Sequence, residues 1–201
     1  MKKLKTAICG MLAVGFAAVI AYRGYQIYLI QDGYHKESNI HRMMNEYKPE
    51  PDGRPLEQKP EEQVVNQSII ELRDQYPDAI GWLTLPNTQI DYPFVQSSDN
   101  YYYLRHDIKG NTAAAGSIFM DYRCSGDFSS QNIIIYGHNM KNGSMFGTLD
   151  SFSDKAFFND NWYGTIYLPH HTLTLEYFAY MVVSPDDPEI YDAGIRDTYF
   201  D

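Results

Sequence analysis

Cysteine is nearly missing from this chain: Cys9 and Cys124 are the two present in 201 residues, too few for a disulfide framework. Cys9 lies within an apolar run with no lipoprotein-type signal ahead of it, so packing inside a helix is its expected role. Basic residues are also scarce, 16 against 26 acidic, for a net charge of −10. Lys2, Lys3, Lys5 and Arg23 all fall in the first 23 residues, so the remainder carries 12 basic against 26 acidic groups, or −14. A surface of that sign repels a phosphate backbone and excludes nucleic acid as a partner. The scattered histidines, His35, His41, His106, His170 and His171, have no metal-ligand spacing, and no metal or cofactor is expected. Asp186, Asp187 and Glu189, set among prolines, read as a solvated loop. Internal repeats, heptads and low-complexity tracts are lacking. Gly143-Ser144-Met145-Phe146-Gly147 does not have the glycine-x-serine-x-glycine spacing of a nucleophile elbow.

What is present begins with a positively charged tip and an uncharged run, Thr6 to Tyr22, close to membrane-spanning length. Apolar character resumes at Tyr25 and Ile27 to Ile30 without a convincing cleavage site, which favours a retained anchor over a removed signal. With the lysines held inside, the rest of the chain faces outward, and an exported chain without disulfides suits a bacterial surface. Ile40, Met43, Met44 and Tyr47 continue at helical spacing toward Pro49. Residues 48 to 63 hold Pro49, Pro51, Pro55 and Pro60 among polar residues and read as a linker. The expected division is therefore a cytoplasmic tip and transmembrane anchor over 1–23, a helical stalk and linker over 24–63, and one folded domain over 64–201.

Within that domain Val65, Ile69, Leu72 and Tyr76 mark one face of a helix that Pro77 stops. Strands are expected over Ile80 to Leu85, Ile90 to Val95, Gly116 to Tyr122, Asn132 to Tyr136, Gly164 to Leu168 and Thr172 to Val183. Pro93 implies that its strand is an edge or is bulged. A short helix is expected over Ser151 to Asn159, capped by Ser151 or Ser153. Many short strands with few helices indicate an all-β sandwich or barrel. The richest stretch is Asn132-Ile133-Ile134-Ile135-Tyr136-Gly137-His138-Asn139-Met140. It reads as a strand buried on both faces, with Gly137 bending the backbone so that His138 reaches a glycine-flanked loop, where a catalytic acid or base would sit.

These pieces, taken in order, resemble a class B sortase, a membrane-anchored cysteine transpeptidase of Gram-positive bacteria. The resemblance runs from Val64 to about Val183. It rests on Ile80-Gly81-Trp82-Leu83, Ile90-Asp91-Tyr92-Pro93, Asn100-Tyr101-Tyr102-Tyr103-Leu104, Gly116-Ser117-Ile118-Phe119-Met120-Asp121-Tyr122, and Tyr136-Gly137-His138-Asn139-Met140 with Gly143-Ser144-Met145-Phe146. It implies a mainly β, sortase-like barrel with an N-terminal helix and short helices, preceded by a single transmembrane helix. His138 matches the family's catalytic histidine, and Asn100, Leu104 and Tyr136 match positions near its substrate groove. The implied partners are surface proteins carrying a C-terminal sorting signal, a peptidoglycan precursor or cell-wall amine, and the bacterial membrane. The chain would then be single-pass, with its ectodomain facing the cell wall.

The family also uses a cysteine ending a later strand in a Thr-Leu-x-Thr-Cys pattern, and an arginine after it. Neither pattern occurs in these 201 residues, so the expected barrel lacks its last strands and the chain as it stands is expected to be inactive. The alternatives are a non-catalytic, tethered module that binds sorting signals, or a serine or cysteine hydrolase. If Gly116 to Arg123 and Gln131 to His138 pair as a hairpin, Cys124 lies opposite Gln131 and His138 opposite Ser117. Seven residues at roughly 3.3 Å each then put thiol and imidazole about 20 Å apart, too far for a dyad. Ser117 is more simply a strand residue than a nucleophile.

Overall fold

The computed structural model describes residues 2–50, 65–184, 187, 190 and 191. Helix α1 spans Lys2–Met44 without a break, and a 3-10 turn, Asn45–Tyr47, ends it just before Pro49, which cannot continue a helix. From Leu12 to Ile30 its large apolar side chains are exposed, whereas Glu37 and Met44 near its end are buried. Among the described residues no helix is long and apolar enough to cross a membrane. Most of the 48–63 linker lies outside the described residues. Helix α2, Gln67–Gln75, buries Ile69 and Leu72, two of the four residues that marked its face in the sequence.

Six strands follow: β1 Ala79–Thr84, β2 Asp91–Gln96, β3 Ile118–Met120, β4 Ile135–Tyr136, β5 Tyr163–Leu168 and β6 His171–Glu176. They form one sheet in the order β4-β3-β2-β1-β5-β6. All pairs are antiparallel except β2 with β3, which run parallel, so residues 97 to 117 must cross over between them. Two buried clusters flank the sheet. One gathers Leu83, Ile90, Phe94, Ile118, Met120 and Ile166. The other packs Met44 against Ile69, Leu72, Trp82, Val95 and Phe119, so the end of α1 belongs to the core of the domain.

Several expectations need correction. Pro93 lies in an interior strand, opposite Trp82; β3 joins β2 only from Phe94 onward, so the flank beside Pro93 is unpaired. The irregularity in register lies on β1, between Ala79 and Gly81. The strand predicted over Asn132 to Tyr136 shortens to β4, and Ile133 to Tyr136 are half-buried, because β4 is an edge of the sheet. The last strand stops at Glu176 rather than Val183. The helix expected over Ser151 to Asn159 divides into a 3-10 helix, Gly147–Ser153, and α3, Lys155–Asp160. Asp154, not a serine, caps α3 by accepting from the Phe157 N–H at 2.9 Å.

Candidate active site

Strands β3 and β4 pair Phe119 with Tyr136 and Met120 with Ile135, the register expected from the sequence. That pairing sends the two ends of the hairpin apart. At one end the chain turns after Asp121, where the Cys124 N–H donates to the Asp121 carbonyl at 3.0 Å and Gln96 Nε2 donates to the carbonyls of both residues. The buried Cys124 thiol donates to the Asn132 carbonyl at 3.6 Å. At the other end, two residues beyond β4, stands His138. Cys124 and His138 thus occupy opposite ends of the pair. Ser117 is also spoken for, its hydroxyl donating to the His106 carbonyl at 3.0 Å.

His138 is half-buried and opens a tightly closed loop. Its carbonyl accepts the Phe146 N–H at 2.9 Å, and Asn139 bridges Met145. Inside the loop the Gly143 N–H donates to the Met140 carbonyl at 2.9 Å, with Gly143 at φ +83° and Met145 at φ +50°. Asn139 Nδ2 ties the loop to Asp150 at 2.9 Å. Gly137 serves close approach more than bending: a Cβ there would meet the Phe146 ring at 2.7 Å.

Tyr136 and Asn100 meet at a carboxylate that the sequence did not single out for this role. Asp121 has no exposed surface, and its Oδ2 accepts from Tyr136 Oη at 2.9 Å and Asn100 Nδ2 at 2.8 Å. Arg123 forks onto the same group, Nε to Oδ1 at 2.9 Å and Nη2 to Oδ2 at 2.8 Å, and its backbone N–H adds a bond to Oδ1 at 2.9 Å. Burial pushes this carboxyl up, but the bonds from Arg123, Asn100 and Tyr136 outweigh it and hold it well below the usual carboxylate range. Burial, then the neighbouring carboxylate, push the Tyr136 phenol up to about 12, so it remains a donor at neutral pH.

Asn100 Oδ1 also accepts the Tyr122 N–H at 3.1 Å, which joins the crossover to the end of β3. Leu104 ends a 3-10 turn, Tyr102–Leu104, with its side chain exposed. Asp99 starts that turn by accepting the Tyr101 and Tyr102 N–H groups at 2.8 Å each. The structure therefore brings Asn100 and Tyr136 to one carboxylate and leaves Leu104 on the surface of the same crossover.

Among the described residues no group of three or more histidines, cysteines and carboxylates is arranged to hold a metal. Of the other histidines, His106 is bonded locally, as expected, whereas His41 packs across the fold against β2. His106 stacks on Tyr102 with ring centroids 4.2 Å apart, and His41 meets Tyr92 edge-on at 4.4 Å.

No family model matches the chain. Among curated proteins it is 52% identical to sortase B of Listeria monocytogenes over 93 residues, 46% of this chain and 38% of that protein. It is 34% identical over 94 residues to sortase B of Staphylococcus aureus, again 38% of that protein, so the match spans well under half of the curated relatives. Among solved structures, sortase B from B. anthracis superposes with a TM-score of 0.62 at 32% identity, covering 79% of this chain and 76% of that one. Sortase B from Clostridium perfringens gives 0.51 at 38% identity over 53% of this chain and 58% of that one.

Proposed function

The chain belongs to the sortase B family, and from that membership we propose that it carries the histidine side of a cysteine transpeptidase site that joins surface proteins to the cell wall. The observation that carries this reading is His138, held at the mouth of a closed loop two residues beyond Tyr136. In the reaction a thiolate attacks the carbonyl carbon of the peptide bond cut within a sorting signal. The His138 imidazolium gives its proton to the departing amine, leaving an acyl thioester. A cell-wall amine then attacks the thioester and gives up a proton to the neutral His138 imidazole, the new amide forms and the thiolate leaves, which restores the imidazolium–thiolate pair. Asn100, Leu104 and Tyr136 line the approach for the peptide, with the first and last set in place by Asp121.

This chemistry needs a thiol within reach of His138, and Cys124, at the far end of the hairpin, is not that group. The competing reading is a tethered module that binds sorting signals without cutting them. The test is to isolate the native protein from its source cells, determine its intact mass, and incubate it with a sorting-signal peptide and an amine acceptor. Transpeptidation predicts a mass above 23.2 kDa and transfer of the peptide to the amine. Saturable binding without cleavage, at 23.2 kDa, establishes the binding module instead.

The uncharged run Thr6 to Tyr22, all of it within helix α1, supports the placement of this helix in the bacterial membrane. Seventeen residues at about 1.5 Å each cover roughly 25 Å, approaching the thickness of a bilayer core. In this proposal residues 1–23 form the inner tip and anchor, 24–63 the stalk and linker, and 64–201 most of the ectodomain facing the cell wall. Fractionation of source cells, with the chain remaining in the membrane pellet after a carbonate wash, is the expected result.

A further inference from the structure

The last turns of α1 reach the histidine loop through one buried phenol. Tyr92, on β2, is 6% exposed; its hydroxyl donates to Glu37 Oε1 at 3.1 Å and accepts the Met145 N–H at 3.3 Å. Glu37 lies on α1 and is itself 8% exposed. Met145 lies beside Phe146, whose N–H closes the loop onto the His138 carbonyl. It also pairs with Asn139 and holds a left-handed backbone at φ +50°, a conformation a methionine keeps only where its surroundings enforce it. The packing around this bond is loose. A cavity of about 410 Å³, lined by Ile40, His41, Met44, Tyr92, Ile118 and Met145, lies between helix and sheet, and a second opens beside Glu37, Tyr92 and Ser144. The hydroxyl bridge is thus a specific polar link beside the apolar packing of Ile40 and Met44 on the sheet.

We propose that Tyr92 is a positioning residue for the His138 loop, and that α1 acts on that loop through Glu37. The bridge has a direction. Glu37 accepts the phenolic O–H, which turns the oxygen lone pairs toward Met145 and satisfies a buried N–H that would otherwise favour opening of the loop. A displacement of α1 along its axis moves Glu37 away from Tyr92 and releases Met145. The helix that leads toward the proposed membrane anchor is thereby coupled to the residue that carries the proton in the reaction. The proposal rests on His138 as the reacting group, but the coupling itself is measured without turnover.

The test is amide hydrogen exchange of the full chain in detergent, read by mass spectrometry over residues 138 to 147, with β1 and β2 amides as the internal control. Losing one buried hydrogen bond corresponds to about a three- to tenfold rise in loop exchange, and that rise is expected for Tyr92→Phe and Glu37→Leu alike. Glu37→Gln retains an oxygen that accepts the phenolic proton, and it should preserve protection. The double variant Tyr92→Phe with Glu37→Leu should exceed neither single variant. Unchanged loop exchange in Tyr92→Phe, with strand protection intact, overturns the proposal. So does equal loosening of loop and strands, which would mark Tyr92 as a general core residue. In the native protein, a fall in kcat with KM unchanged is the matching kinetic sign; absence of turnover in the unmodified protein would count against transpeptidation and leave the exchange result standing.

Discussion

A carboxylate with no exposed surface gathers side chains from three stretches of the chain: Asn100 from the crossover, Arg123 from the turn after β3, and Tyr136 from β4. Replacing Asp121 with Asn leaves a guanidinium that is itself 40% exposed without its charge partner and trades a charged acceptor for a neutral one, a loss of about 1–3 kcal/mol. The expected readout is a lower urea midpoint with an unchanged slope. The pH dependence follows from the depressed carboxyl. Its stabilising contribution is complete above the unfolded carboxyl value near about 3.9, and is lost as pH falls through the lower native value. The gap in thermal midpoint between the protein and Asp121→Asn should therefore narrow below about pH 4; a gap that widens in acid would refute this assignment. The sequence marked Asn100 and Tyr136 as candidate site positions but not the group that joins them. Asn100 stands 21 residues before Asp121, across a connection whose return path no local spacing encodes.

At the scale of elements, the pairing of β3 with β4 was legible because a hairpin between Gly116 to Arg123 and Gln131 to His138 fixes which residues stand opposite one another. Strand lengths were less legible. Four successive β-favouring residues from Ile133 predict a longer buried strand, but β4 has only β3 as a neighbour, and pairing ends after two residues. Gly137 shows the same limit. Its place before His138 was evident, whereas its reason, the Phe146 ring pressed against it, depends on a contact across the loop. Gly137→Ala should push that ring away and cost about 1–3 kcal/mol, as overpacked sites do. Adding Phe146→Leu should restore part of the loss, and thermal midpoints of the two variants check it.

For the whole molecule, the parallel placement of β3 beside β2 escaped the sequence, since parallel and antiparallel neighbours share the same alternation. The end of α1 belongs to the folded unit. Met44 is 1% exposed among Ile69, Leu72 and Trp82, so Met44→Ala should cost about 2–3 kcal/mol, and a piece beginning at residue 61 should melt well below one that retains the last turns of α1. Among the described residues the sheet ends in β4 and β6, and β6 presents six residues with Leu173 and Leu175 half-buried, an edge to which no described strand is paired. These 201 residues should self-associate even in detergent, and Thr174→Lys on the exposed face of β6 should reduce it; monomeric elution of the unmodified chain would contradict that reading.

The central claim concerns His138, and the direct measurement compares the native membrane-associated protein with its His138→Ala variant for transfer of a sorting-signal peptide to an amine acceptor. Loss of a positioned general acid lowers such a rate by about 10²- to 10⁴-fold, and a fall in that range, with peptide affinity retained, is the predicted result. Equal transfer by the two proteins would contradict the claim and remove His138 from the reaction.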